Sequence, residues 1–175
     1  MADITCIAEQ ARQIICAQGA RDPYEIAEGE DVRVCRYDLG SLNGMYIVLD
    51  GVSFIALSSA LDGDEARLVC AHELGHHFLH RQFAESSALS DSSLFSGGGR
   101  LEYEANVFAA ELLVGDRELV EVLRSCPDLH SAAAELNVCP ELLAVKSEIL
   151  RKKGLELNPV EMEHDFLRRK LQKNY

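Results

Sequence analysis

The 175 residues are 47% hydrophobic, enough for one compact domain with a real core, and with 6% aromatics and no tryptophan that core must be aliphatic and alanine-rich. The net charge of −12 argues against a broad nucleic-acid or anionic-membrane surface, because phosphate contacts need clustered Lys and Arg. Six scattered cysteines with no C-x-x-C pair fit neither a zinc finger nor a redox motif; with no apparent signal peptide and no stretch of membrane-span length, they lead us to expect a cytoplasmic protein.

Residues 3–18 place Ile4, Ile7, Ala8, Ala11, Ile14 and Ile15 at helical spacing, which predicts an amphipathic helix ending at Gly19. Residues 20–31 read as an acidic loop. The period then changes: Val32 to Cys35, Met45 to Leu49 and Val52 to Leu57 are β-rich runs, with Asn43-Gly44 and Asp50-Gly51 as turns. Asp62 and Glu65 sit as N-cap and capping-box partner of a helix expected to run to about Leu79. Residues 84–99 are rich in Ser and Gly and read as a loop, a candidate lid. A strong helix follows from Leu101 to Val114, broken at Gly115-Asp116, and three shorter helices are expected near 116–124, 128–136 and 140–152. Pro140 stands at a first-turn position, where its missing N–H costs nothing. Residues 158–175 are a charged tail whose apolar positions suit a docking helix.

Within the helix that starts at Asp62 lies His72-Glu73-Leu74-Gly75-His76, an H-E-x-x-H pattern. On a helix the two histidines share a face one turn apart, so both imidazoles can bind one metal ion, with Glu73 beside them as proton acceptor for an attacking water. Catalytic zinc takes a third protein ligand. The metzincin solution fails, because the position six after His76 is Gln82 and the expected glycine is Leu79. A thermolysin-like arrangement takes a carboxylate from a second helix carrying Glu-x-x-x-Asp/Asn, and Glu102 with Asn106 supplies it. Glu102 is therefore the expected third ligand. Asn106 would accept a hydrogen bond from a ligand histidine, and Glu104 would face solvent. His77 and His80 read as structural, His80 as a partly protonated ring near the helix C-terminus. Tyr46, Tyr103 and His80 are candidate transition-state donors.

The run Glu102-Tyr-Glu-Ala-Asn-Val-Phe-Ala-Ala-Glu-Leu-Leu-Val114 after His72-Glu-Leu-Gly-His76 resembles the ImmA/IrrE family of bacterial metallopeptidases. That family pairs an H-E-x-G-H helix with an E-x-x-A-N/D-x-F-A-A-x-L-L-x-P helix. Leu42-Asn43-Gly44-Met45-Tyr46 is also similar, and the likeness spans about residues 20–150. One departure is Gly115, where the family has proline. The resemblance implies a zinc endopeptidase in which His72, His76 and Glu102 hold Zn2+, with Mn2+ or Fe2+ as the other metals such a ligand set admits. Glu73 would serve as the base. It also implies a protein substrate: a helix-turn-helix transcriptional repressor in a bacterial stress or mobile-element response. An extended substrate would add to an exposed strand edge, for which Val52 to Leu57 is the candidate.

Ser131 to Leu143 has a helix-turn-helix cadence, as the family often has after its core. Its second helix offers Glu141, Lys146 and Glu148, poor groups for reading bases, so contact with protein is expected and direct DNA binding is not. The expected architecture is α+β. Residues 1–115 form a zincin-like core with a small antiparallel sheet packed on helices, residues 116–153 a helix-turn-helix-like segment packed on that core, and residues 154–175 a charged tail. The competing readings are a non-catalytic regulator or toxin–antitoxin component, and a DNA-binding regulator; an intact Glu73 argues against a pure binder.

Overall fold

The computed structural model describes residues 3–84, 89–91 and 99–155. The chain begins with α1 (Ile4–Gln18), capped by the Asp3 carboxylate and ended by Gly19 in the left-handed region, where φ is 70°. The acidic stretch expected to be loop contains a short helix instead, α2 (Pro23–Gly29). Asp22 accepts from the N–H groups of Tyr24 and Glu25 while Pro23 opens the helix, so the turn is capped and pre-set locally. Ile26 and Ala27 bury its inner face completely.

Three strands follow: β1 (Arg33–Tyr37), β2 (Gly44–Leu49) and β3 (Val52–Ser58). Asp50 and Gly51, at φ of 51° and 82°, make the predicted two-residue turn, and Leu49 pairs with Val52 directly behind it. A fourth strand, β4 (Leu89–Asp91), lies inside the stretch expected to be loop throughout and pairs antiparallel with β2. The other residues of that stretch from 85 to 98, and the tail from 156 onward, lie outside the described residues.

The sheet order is β1-β3-β2-β4. It is mixed: the antiparallel pairs are joined by β1, which runs parallel to β3. This order corrects the expected docking edge, because β3 has ladder partners on both sides and Val52 to Leu57 cannot accept another strand.

Against the sheet lies α3 (Gly63–Ala84). Its start is the predicted capping box: Glu65 N–H donates to Asp62 Oδ1 at 2.8 Å, and Asp62 N–H donates to Glu65 Oε2 at 3.2 Å. The helix runs past the expected end at Leu79, with a break in its geometry at His80 (φ −130°, ψ 15°). Packed along α3 is α4 (Arg100–Leu113), and Phe78 stacks on Phe108 at 5.3 Å between ring centroids.

The chain then forms α5 (Asp116–Ser125), α6 (Leu129–Glu135) and α7 (Pro140–Lys152). The glycine that departs from the family's proline has a use here: Gly115 N–H donates to Glu118 Oε2 at 3.3 Å, a bond proline cannot make. A buried ionic cluster ties α7 to α4 and α1. Lys146, fully buried, places Nζ 2.8 Å from Glu111 Oε2 and 2.6 Å from Asp116 Oδ1, and Arg12 Nε donates to Glu111 Oε1 at 2.7 Å. Lys153 joins through Asp116 at 3.0 Å. Lys146, which the sequence offered as the central polar group of the second helix of the helix-turn-helix cadence, therefore points into the core. One apolar cluster runs from Ile4 of α1 to Leu150 of α7.

Candidate metal centre

The centre is built where α3 and α4 touch. Gly75 makes the contact possible: a Cβ there would meet Ala105 Cα at 2.8 Å and its carbonyl oxygen at 2.9 Å. Only a residue without a side chain lets the two backbones approach this closely. The approach carries Glu102, in the first turn of α4, to the two histidines of α3.

His72 and His76 are buried, their ring centroids 4.8 Å apart and their planes nearly perpendicular. Their Nε2 atoms stand 3.1 Å apart. Glu102 Oε2 is 3.2 Å from His72 Nε2, and Oε1 is 3.5 Å from His76 Nε2. Ligand atoms on a tetrahedral zinc with bonds of about 2.0–2.1 Å would be about 3.4 Å apart, so the spacing and the N,N,O donor set fit a metal ion. On the far side of His72, Nδ1 is 2.8 Å from Asn106 Oδ1. An amide oxygen only accepts, so the His72 proton sits on Nδ1 and the Nε2 lone pair faces the centre.

Burial, together with the neighbouring imidazoles, outweighs the pull of Glu102 and lowers the His76 pKa, keeping the ring neutral, as a metal ligand must be. Burial also works against the Glu102 carboxylate, but its close contacts with His72 and His76 overcome it and hold this carboxyl well below the usual range.

Glu73 is 1% exposed and lies under the first residue of β2. A Cβ on Gly44 would fall 2.7 Å from Glu73 Oε1 and 2.4 Å from a Val69 methyl. Gly44 has a close-approach role beyond the turn read from the sequence: its bare backbone leaves room for the carboxylate.

The structure brings His72, His76, Glu102 and Asn106 together as expected, with Glu73 on the same helix. The three candidate donors are engaged with other side chains. The buried Tyr46 hydroxyl lies 3.0 Å from His77 Nδ1 and 3.1 Å from Ser53 Oγ. Tyr103 is 43% exposed, and its hydroxyl reaches Glu148 of α7 at 3.3 Å. The regular helix breaks at His80, as the expected end near Leu79 implied. Burial lowers the His80 pKa despite its contact with Glu104. Glu104, expected in solvent, is 7% exposed, with Oε2 3.1 Å from His80 Nε2 and Oε1 accepting from Arg100 Nε at 2.7 Å. The i,i+4 spacing of Arg100 and Glu104 was visible in the sequence; the approach of His80 from another helix was not.

An α+β fold in which two helices bring two histidines and a glutamate to one point has the donor set of a metal centre. The chain belongs to the peptidase M78 family, whose IrrE N-terminal-like domain matches residues 27–148. It is 28% identical over 117 residues to Metallopeptidase ImmA of Bacillus subtilis (strain 168), covering 67% of this chain and 68% of that protein. It is 34% identical over 113 residues to an uncharacterized immunity region protein 2 of Bacillus phage phi105, covering 64% of this chain and 70% of that protein. The cluster of His72, His76 and Glu102 lies within the matched span.

Proposed function

We propose that this chain is a zinc-dependent endopeptidase of the cytoplasm that cleaves a regulatory protein, such as a helix-turn-helix transcriptional repressor. The observation that carries the reading is the convergence of His72 Nε2, His76 Nε2 and the Glu102 carboxylate, with Glu73 the residue after His72 on α3. Bound there, zinc supplies Lewis acidity towards a scissile carbonyl and lowers the pKa of water to about 7. His72, His76 and Glu102 hold the ion, and Asn106 fixes the His72 ring. Glu73 takes the proton of the attacking water and hands it to the leaving amine. The extended substrate lies along an edge of the sheet, where backbone pairing positions it without demanding a fixed sequence.

A net charge of −12 favours a basic protein partner over DNA, and the inward-facing Lys146 removes a cation from the surface of α7. The relative named for an immunity region supports a regulatory setting. The test is to purify the protein, measure bound metal, and assay cleavage of a candidate helix-turn-helix repressor from the same genome, using wild type and Glu73→Gln. Both should bind one zinc, and the variant should lose cleavage by about 10²–10⁴-fold, the usual worth of a positioned base. Equal effects of the two proteins on the repressor would leave a binding role in place of the peptidase.

A further inference from the structure

The two ligand histidines are backed differently. Behind His72 stands the neutral amide of Asn106. Behind His76 stands a chain of groups: His76 Nδ1 is 3.0 Å from His80 Nδ1, His80 Nε2 is 3.1 Å from Glu104 Oε2, and Glu104 Oε1 accepts from Arg100 Nε at 2.7 Å. His76 and His80 are one turn apart, and the break in α3 falls at His80, where the ring meets both neighbours.

A carboxylate only accepts, so the single N–H of neutral His80 lies on Nε2, towards Glu104. His80 Nδ1 is then an acceptor. Across 3.0 Å it takes the proton of His76 Nδ1, and this leaves the His76 Nε2 lone pair aimed at the centre. The proton arrangement of His76 is thus set from two residues away, by a buried anion.

We propose that His80 and Glu104 are positioning residues for the metal centre: a carboxylate–imidazole relay that locks His76 in its ligating tautomer and strengthens it as a donor. The inference rests on the metal reading of the site. Outer partners of this kind usually change metal affinity by about 10–100-fold.

The test compares wild type, His80→Ala, Glu104→Ala and Glu104→Gln; the last keeps an oxygen acceptor and the side-chain size but removes the charge. Nitrogen NMR of the metal-free wild type should show His80 protonated on Nε2 and His76 on Nδ1. Competition against a chelator should show Zn2+ held about 10–100-fold more weakly by the alanine variants and by an intermediate amount in Glu104→Gln. The visible spectrum of the Co2+-loaded protein should shift with the charge on Glu104. Circular dichroism identifies the variants that fold. If the alanine variants do not, Glu104→Gln decides alone. His76 protonated on Nε2 in the wild type, or folded variants within about threefold of wild-type Zn2+ affinity with an unchanged cobalt spectrum, overturns the relay. A wild type that binds no Zn2+ overturns the metal reading, and the relay with it.

Discussion

The two ends of α4 solve the same physical problem in opposite ways. Near its C-terminus, Glu111 is buried among cations the chain supplies: Arg12 from α1, Lys146 from α7 and Lys153 just after it. Near its N-terminus, Glu102 is half-buried against His72 and His76, all three of them Lewis bases. A buried carboxylate must be matched by positive charge or hydrogen-bond donors. The first cluster finds its match in the sequence and so serves cohesion. The second offers donor atoms at metal-ligand spacing and, on the proposed reading, takes its cation from solution. The contrast teaches that burial of charge alone does not mark a functional site; the kind of partner does.

The largest effect that separates the two ends is expected from Lys146→Ala. It leaves Glu111 without its buried lysine, which costs about 3–5 kcal/mol in unfolding measurements, while Zn2+ affinity of the folded fraction stays unchanged. Linked loss of metal affinity would show that the two clusters are one unit. Next comes Asn106→Ala, which leaves the His72 Nδ1–H without its acceptor. Zn2+ affinity should fall about 10–100-fold, with a smaller change in the melting temperature of the metal-free protein. Gly75→Ala should affect both properties, because the added methyl pushes Ala105 away. A loss of about 1–3 kcal/mol in stability should accompany weakened Zn2+ binding, since Glu102 rides on the displaced helix. The smallest effect belongs to Gly115→Pro, which removes an exposed N–H bond to Glu118. Less than about 1.5 kcal/mol by chemical denaturation, and no change in metal binding, is expected.

What the sequence made legible was local. The capping box at Asp62 and Glu65, the Asp50-Gly51 hairpin and the paired histidine and glutamate helices each depend on residues a few positions apart, and the structure has them. The helix α2 escaped because seven residues are too short for a periodic signal, although Asp22-Pro23 carried the cap. Strand order escaped because β1 pairs with β3 across the whole of β2, and no local pattern encodes a non-neighbour pairing. Glu104 escaped for the same reason on a smaller scale: its environment is set by His80 on a different helix. Lys146 looked like a surface cation because its partners, Glu111 and Asp116, are about thirty residues away.

The capping box has a further consequence. It fixes the rotational phase of α3 at its start, seven residues before His72. Each inserted residue between Glu65 and His72 would turn the histidines by about 100° and advance them by about 1.5 Å. One insertion swings both rings away from α4. Seven restore the direction to within about 20° but carry them about 10.5 Å along the axis, past Glu102. The distance from cap to ligand in α3 is therefore quantised: substitutions in that stretch are tolerated or not by their packing, but a change in its length admits no small error.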